Sequence, residues 1–229
     1  MFHSVIELKT VDSTNNFAKE KACDLKLPAL ITAEHQTSGR GRQGKSFYSP
    51  AGTGLYMTVL AEVKKAPELI TPAAAVIVCR ALEELAGLKP GIKWVNDIFL
   101  DDKKVCGILT EYFERNGRKF ISIGIGINIT TKSFPDELKN AGSIGYDNKE
   151  KLKKEISDHL IAFLDFPCRF DIAVEYDKRL MLKGKKIIFF ENGNEITGTV
   201  KETDSDIRLK VEDSNGKCHI ISSGEIILI

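Results

Sequence analysis

Apolar positions recur with two different periods along the first 183 residues of the 229-residue chain. Alternating and β-rich runs predict strands, whereas a helical period that follows a capping residue or a proline predicts helices. The predicted strands are residues 5–8, 29–33, 55–63, 92–95, 98–100, 105–113 and 119–129. The predicted helices are residues 16–25, 71–86, 149–163 and 171–182. Residues 132–149 are polar and glycine-rich and predict a loop.

From Gly184 onward the spacing changes. Four short strand-like runs, at 185–190, 195–201, 207–212 and 217–222, follow one another at regular intervals, with Asn192-Gly193 and Asn215-Gly216 as turn signals. This pattern predicts a small β-barrel or sandwich. A module of that size buries little surface alone, so we expect it to dock on the rest of the chain. We therefore predict two domains, residues 1–183 and 184–229.

Composition narrows the class of protein. Lysine and arginine total 33 and aspartate and glutamate total 32, a net charge of +1, which argues against a general nucleic-acid or membrane-surface binder. The N-terminal residues lack the basic and apolar regions of a signal peptide. Five scattered cysteines without a C-x-x-C pair indicate neither a disulfide framework nor a zinc site. These features predict a cytoplasmic protein that still has room for one small basic site.

The stretch GRGRQGKSFYSP, residues 39–50, is the first candidate for such a site. Glycine N–H groups approach an anion closely because no Cβ intervenes. Arg40, Arg42 and Lys45 add positive charge, and a guanidinium matches phosphate or carboxylate oxygens. The spacing is not that of a P-loop. An anion-binding loop that is mobile when empty, a solvated surface loop and a nucleic-acid contact all remain open.

Two strand ends carry further candidates. In KWVND, Lys93 could neutralise a phosphate while Asp97 holds a magnesium ion or fixes that lysine, although Asn96 and Asp97 are also common turn residues. In GIGIN, the two glycines mark a close approach of a ligand or of packed backbone. Asn128 offers the donor and acceptor that an adenine edge needs.

Near the N-terminus, DSTNN offers two interpretations. Ser13 and Thr14 can cap a helix, which is their commoner use. They can also present hydroxyl groups to a small polar ligand at the N-terminus of that helix.

The order in which these motifs follow one another identifies a protein family more specifically than any single motif does. The series D-S-T-N, E-x-Q-x-x-G-R-G-R-x-G, S-P with G-L-Y, K-W-x-N-D, G-I-L-x-E and G-x-G-x-N, over residues 12–128, resembles the biotin–protein ligases. The resemblance implies an α+β fold, with a mixed-sheet catalytic domain of the biotin/lipoate ligase type and a small SH3-like β-barrel at the C-terminus. Val95 stands where the family usually has proline, and we expect extended valine to keep the same backbone path.

The resemblance also implies an activity. Biotin and ATP would form biotinyl-5′-AMP, and biotin would then pass to one lysine of a biotin carboxyl carrier domain, with Mg²⁺ as cofactor. Some members carry an N-terminal DNA-binding domain. This chain enters the catalytic domain near its fifth residue, so we expect no repressor activity and no nucleic-acid or membrane partner. A homodimer through a sheet edge is compatible with the sequence.

By the same resemblance, each motif receives a role. The catalytic residues would be Lys93, Arg42 and Arg40. Biotin would be bound by Ser13, Thr14, Asn15, Gln36, Gly39, Arg40, Gly41, Arg42, Lys93 and Gly107. ATP would be bound by Arg40, Arg42, Lys93, Asn96, Asp97 and Asn128, with Asp97 as a metal ligand. The alternatives are a lipoate or octanoyl transferase of the same fold, a nucleic-acid binder that uses the arginine loop, and a non-catalytic biotin-binding module.

Overall fold

A computed structural model describes residues 1–63, 69–167, 169–191, 193–224 and 226–229. Cys168 and Asn192, which belong to the cysteine and turn predictions, lie outside these ranges. The strands of the first sheet are β1 (Ser4–Val11), β2 (Ala29–Gln36), β3 (Gly54–Glu62), β4 (Gly91–Lys93), β5 (Asp97–Leu100), β6 (Lys103–Arg115) and β7 (Arg118–Asn128). Their order is β1-β2-β3-β7-β6-β5-β4, with β1 and β2 parallel and the other neighbours antiparallel. The predicted mixed sheet is confirmed.

Helices cover both faces of this sheet. The helices are α1 (Thr14–Lys21), α2 (Ile70–Ala86), α3 (Lys149–Asp165) and α4 (Arg169–Lys178). Side chains alternate between the faces of a strand, so Leu30 joins the large apolar cluster of α2 and α3. Its neighbour Ile31 joins a smaller cluster with Ala18 of α1. The first sheet is therefore the middle layer of the N-terminal part of the chain, with helices on either side.

Local signals place most element ends correctly. Helix α2 ends where predicted, because Gly87 adopts the left-handed conformation, with φ 64°, and caps the last turn. Asn116 and Gly117, with φ of 53° and 72°, join β6 to β7 as the predicted hairpin turn. Helix α4 ends at Lys178, earlier than predicted. Residues 179–181 instead lie beside β4, where Ile92 N–H donates to Arg179 O and Met181 N–H donates to Ile92 O.

The C-terminal residues form a second, antiparallel sheet. Its strands are β8 (Lys186–Glu191), β9 (Asn194–Thr203), β10 (Leu209–Asp213), β11 (Cys218–Ile221) and β12 (Ile227–Leu228), in the order β11-β10-β9-β8-β12. The expected docking is confirmed, because Ile187 and Leu209 belong to the same apolar cluster as Ile92 of β4. Trp94 Nε1 donates to Ile207 O at 2.9 Å across this contact. Barrel closure and the boundary after residue 183 stay predictions.

In the ranges that the structure describes, the helices lack the combination of length and hydrophobicity that a membrane span requires. The predicted loop over residues 132–149 contains one short 3₁₀ turn, Asp136–Leu138. Cys79 and Cys106 are fully buried in the apolar core. Burial raises the pKa of Cys79 to about 12, which makes this thiol a poor nucleophile.

Candidate functional site

The glycine–arginine loop, residues 39–50, connects β2 to β3 and is irregular, as predicted. Arg40 and Ser46 form an isolated antiparallel bridge, and Gly41 N–H donates to Lys45 O at 2.7 Å. The loop therefore turns back on itself around Gln43, which has φ 54°. A Cβ at Gly39 would collide with backbone and side-chain atoms of the returning segment, so only glycine fits there. Mobility of the empty loop stays a prediction.

This loop forms one wall of a cavity of about 510 Å³. The β4–β5 turn and β6 form the other walls, and Gly224 and Ile226 from the C-terminal sheet close one side. The basic side chains that line it are Arg40, Arg42, Lys45, Lys93 and Lys104. Asp97 is the single acidic residue among the described lining residues. This surplus of cations makes the cavity an anion site.

Cations in the cavity differ in what holds them. Lys104 Nζ lies 2.8 Å from Asp97 Oδ1, an ion pair between neighbouring strands. Arg42 Nη1 donates to neutral Asn96 Oδ1 at 3.1 Å, and Asn96 Nδ2 is anchored on a β6 carbonyl at 2.9 Å. Lys93 Nζ lies 6.0 Å from the centre of a neighbouring aromatic ring and has no hydrogen-bond or ion-pair partner among the described residues. Lys93 is therefore the cation most available to a ligand.

The β4–β5 turn that carries these groups contains the valine found in place of the family proline. The Trp94–Val95 peptide bond is cis. Lys93 and Asp97 face each other as the last register pair of β4 and β5. Asp97 nevertheless pairs with Lys104 and not with Lys93, so the alternative in which Asp97 fixes Lys93 is not what the structure shows.

Asp97 is the predicted metal ligand. No cluster of three or more metal-binding side chains occurs among the described residues. Magnesium commonly keeps several waters and uses one or two carboxylates together with substrate phosphates. Asp97 fits such a site only when phosphate oxygens complete it, and Lys104 would then exchange its ion pair for a phosphate.

A second, smaller recess of about 20 Å³ adjoins the large cavity, and Arg40 and Phe47 line both. Its other described lining residues include Ser13, Thr14, Asn15, Gln36, Gly107 and Gly126. The recess is small because the Phe47 ring packs against Gly107 and Gly126. A Cβ at Gly107 would sit 3.2 Å from that ring.

Polar groups in the recess are connected. Gln36 Oε1 accepts from Thr14 N at 2.9 Å and from Thr14 Oγ1 at 3.1 Å. Gln36 Nε2 donates to Ser49 Oγ at 2.9 Å, which ties the recess to the loop. Ser13 is the N-cap residue of α1, yet its side chain makes no capping hydrogen bond. The helix-capping interpretation therefore does not account for the Ser13 hydroxyl.

The glycines of GIGIN lie where close approach is required, as predicted. A Cβ at Gly124 would collide with the Asn15 amide, and one at Gly126 would collide with Phe47. The groups that approach are side chains from α1 and from the loop. Asn128 lies at the end of β7, outside the described linings of both cavities. Its Nδ2 donates to Gly142 O at 2.9 Å, while its buried Oδ1 has no hydrogen-bond partner in the part of the chain that the structure describes.

Three residues of the site received no role from the sequence. In the sequence, Lys104 belongs to a predicted turn and Phe47 to the glycine–arginine loop. Glu111 is the glutamate of the G-I-L-x-E motif, to which no role was assigned. Strand parity is the signal that could have identified Glu111. On β6 it lies on the same face as Gly107, which was predicted to face the ligand.

Comparison with known proteins gives a consistent picture. A model of the Biotin/lipoate A/B protein ligase family matches residues 7–128. The chain is 41% identical over 133 residues to the bifunctional ligase/repressor BirA of Bacillus spizizenii, covering 55% of this chain and 41% of that protein. It is 26% identical over 216 residues to the biotin–[acetyl-CoA-carboxylase] ligase of Mycobacterium tuberculosis, covering 86% and 78%. The chain thus spans about half the length of some curated relatives and more of others.

A solved structure agrees over the whole chain. The biotin protein ligase from Aquifex aeolicus, in complex with biotin and ATP, superposes with a TM-score of 0.82 at 27% identity, covering 100% of this chain and 99% of that one. The α+β fold expected from the motifs is confirmed. Together with the match over residues 7–128, this shows that the chain belongs to the Biotin/lipoate A/B protein ligase family.

Proposed function

We propose that this protein is an ATP-dependent biotin–protein ligase. It forms biotinyl-5′-AMP from biotin and ATP and transfers biotin to a lysine of a biotin carboxyl carrier domain. The observation that carries the proposal is the cation-rich cavity of about 510 Å³ beside a polar recess. One compartment suits phosphates and the other suits a small polar ring. The known ligase from Aquifex aeolicus, which binds biotin and ATP, supports the assignment.

Activation is needed because the reactants are poorly matched. A carboxylate is a weak electrophile, and a lysine amine with a pKa of about 10.4 is mostly protonated at neutral pH. In the first step a biotin carboxylate oxygen attacks the α-phosphorus of ATP, and the bond to pyrophosphate breaks. In the second step the deprotonated lysine nitrogen attacks the acyl carbon, and AMP leaves. Both steps pass through states with charge on phosphate oxygens.

Cations of the large cavity would stabilise that charge. Lys93 would contact the carboxylate and the α-phosphate, since described residues leave its ammonium unpaired. Arg40 and Arg42 would approach the same oxygens from the loop side of the cavity. Asn96 and Asp97 would line the nucleotide, the latter with Mg²⁺. The loop would exclude water from the reactive anhydride.

The recess would bind the ureido ring of biotin after the Phe47 ring moves aside, because its present volume of about 20 Å³ has room for little more than a water molecule. Thr14, Gln36 and Ser13 offer hydroxyl and amide groups, while Gly107 leaves room for close backbone approach. Asn15, Gly39 and Gly41 complete the predicted biotin contacts. Asn128 stays the proposed adenine contact on the strength of its motif alone, because it is buried and lies outside the described linings of both cavities.

Lipoate is the second candidate substrate, because the matching family model covers lipoate ligases as well. The dithiolane ring of lipoate has no hydrogen-bond donors to satisfy the polar groups of the recess. Thr14 and Gln36 would then lose access to water without gaining a partner, which is unfavourable. The composition of the recess therefore favours biotin.

One experiment separates the candidates. The purified chain is incubated with ATP and biotin or lipoate, and pyrophosphate release and label transfer to a carrier domain are measured. We expect biotin-dependent release and transfer, with lipoate a weak competitor. Labelling by lipoate alone would refute the biotin assignment, and biotin binding without pyrophosphate release would indicate a non-catalytic module.

We also propose that the protein acts in the cytoplasm and that residues 184–229 form an SH3-like domain. A further proposal is that a homodimer forms through an edge of the first sheet, whose terminal strands are β1 and β4. Light scattering at two protein concentrations measures the oligomeric state. A monomer at both concentrations would remove the dimer.

A further inference from the structure

Glu111 on β6 collects three donors from different parts of the chain. Its Oε1 lies 2.8 Å from Lys19 Nζ on α1 and 3.2 Å from Arg40 Nη1 on the loop. Its Oε2 accepts from Asn15 Nδ2 at 3.1 Å. The side chain is 21% exposed, so these contacts are only partly screened by water.

We propose that Glu111 is a positioning residue that holds Arg40, and with it the glycine–arginine loop, beside the recess. The inference deepens the proposed function and rests on it. Glu111 acts through Arg40 and Asn15, so its effect should appear in loop position and substrate affinity.

Hydrogen bonds that start at Glu111 run under the recess and return to the same loop. Asn15 bonded to Glu111 also lies 2.6 Å from Thr58 Oγ1, which in turn lies 2.9 Å from Thr14 Oγ1. Thr14 donates to Gln36, and Gln36 donates to Ser49 of the loop at 2.9 Å. Ser49 Oγ then donates to Phe47 O at 2.9 Å.

The loop is thus tied at two points to one network. Arg40 is held near the start of the loop and Phe47 near its end. Three residues of the connecting network, Asn15, Thr14 and Gln36, were predicted to bind biotin. A ligand that reorganises Thr14 or Gln36 would therefore affect both ends of the loop. Glu111 supplies the only formal negative charge among the described members of this network.

That charge is maintained in the fold. Burial alone would raise the pKa of the Glu111 carboxyl, but the donors Lys19 and Asn15 lower it, and the net shift is downward. Within the described ranges, the Arg40 guanidinium also donates to neutral Asn16 Oδ1 at 2.8 Å. The contact of Arg40 with Glu111 is an ion pair at 3.2 Å, which adds a charge–charge attraction that the neutral Asn16 amide lacks. Without the carboxylate, Arg40 would keep only its weaker contact.

Glu111→Gln tests the proposal because it keeps the size of the side chain and removes the charge. We expect faster tryptic cleavage after Arg40 in the absence of ligand, and a KM for biotin raised on the order of tenfold. The kcat for pyrophosphate release at saturating substrates should fall by less than KM rises, because the oxygens of the bound substrates then hold Arg40 in place of Glu111. A purely structural role would lower the Tm without this separation of KM from kcat.

Two controls accompany the variant. Glu114→Gln removes an equal charge from the exposed end of the same strand and should leave cleavage and KM as in the wild type. Lys19→Met removes the other cation on Glu111 and should leave Arg40 protected. Unchanged KM and cleavage in Glu111→Gln would overturn the proposal, as would a Lys19→Met variant that behaves like Glu111→Gln.

Failure of the proposed function gives a different result. The wild type would then release no pyrophosphate with biotin and ATP, whereas tryptic cleavage after Arg40 would still report whether Glu111 holds the loop. Equal cleavage of the wild type and Glu111→Gln would remove the positioning role in either case.

Discussion

The large cavity and the C-terminal sheet use charge in opposite ways. In the C-terminal sheet, Arg208 lies 2.7 Å from Asp204, and buried His219 contacts a carboxylate at each ring nitrogen. In the cavity, Lys93 has no polar partner among the described residues and Arg42 contacts only a neutral amide. The contacts named in the first region join acidic and basic groups, whereas Lys93 and Arg42 in the second region have no acidic partner among the described residues.

The difference indicates where a ligand is expected. Clustered like charges repel one another, so a fold that brings several cations to one cavity is less stable than one with paired charges. An anionic ligand offsets that repulsion when it binds. The paired groups of the C-terminal sheet have no such repulsion for a ligand to relieve. Changes to them are therefore expected to affect the stability of the fold and not the binding of a ligand.

The largest expected effect comes from removing the unpaired cation. Lys93→Ala should reduce pyrophosphate release about 10²–10³-fold, because a group that stabilises developing charge in the transition state is lost. Biotin binding, measured by calorimetry, should change far less. Lys89→Ala, which alters an exposed lysine four residues earlier, is the matched control. Equal activity of Lys93→Ala and Lys89→Ala would remove Lys93 from the mechanism.

Gly124→Ala tests the hydrogen-bonded network of Asn15 and Glu111 next to the cation-rich cavity. Its new methyl group would displace the Asn15 amide, which donates to Leu109 O at 3.1 Å and to Glu111. We expect a loss of about 1–3 kcal/mol in the free energy of unfolding and weaker biotin binding. Gly107→Ala should be milder, since its methyl group would meet the Phe47 ring at 3.2 Å and Lys104 Cε at 3.5 Å, which are both movable side-chain atoms. Denaturant unfolding and biotin titration measure both, and equal effects would show that Asn15 adapts freely.

These regions also differ in how well the sequence predicts them. Gly87 and Asn116-Gly117 determine their own turns, because positive φ is a local property of the residue type. The end of α4 was mispredicted because backbone pairing with Ile92, far away in sequence, stops the helix. Strand β12 was missed because two residues carry no periodic signal.

Site prediction has a similar limit. The motifs identified which residues surround the cavity, since strand ends and glycines are visible in the sequence. Contacts between distant residues are not visible, and Glu111 meets Lys19 and Asn15 across 92 and 96 positions. The order of the motifs indicated the family. The structure was needed to show that Lys93 has no hydrogen-bond or ion-pair partner among the described residues.

Trp94→Phe tests whether the two regions depend on each other. The variant keeps an aromatic ring but removes the N–H that donates to Ile207 O at 2.9 Å. Ile207 is buried, so its carbonyl would lose its partner, at a loss of about 1–2 kcal/mol in the free energy of unfolding. The Tm should fall by several degrees, and activity should fall modestly because Trp94 adjoins Lys93. Tyr112→Phe, which removes an exposed hydroxyl, is the control; an unchanged Tm in Trp94→Phe would show that the sheets dock without this bond.

The smallest effect is expected from His219→Gln, which alters the contacts of the His219 ring with two carboxylates. His219 Nε2 lies 3.1 Å from Asp213 Oδ2, and this hydrogen bond is the main cause that lowers the pKa of Asp213 below its ordinary 3.8. A depressed carboxyl pKa stabilises the fold above pH 3.8, and that contribution is lost as the pH falls through the lowered value. The Tm of His219→Gln should therefore lie below that of the wild type at pH 6, and the difference should shrink below about pH 4.

Pyrophosphate release by His219→Gln at 25 °C should equal that of the wild type, since the paired charges of the C-terminal sheet lie outside the cavity. His159→Gln, on the exposed face of α3, controls for the loss of an imidazole. A Tm difference that is independent of pH would show that His219 contributes by packing against Phe189, whose ring centre is 5.3 Å away, and not by its charge. Reduced activity would instead mean that paired charges at a distance support the cavity, and the contrast between the two regions would no longer hold.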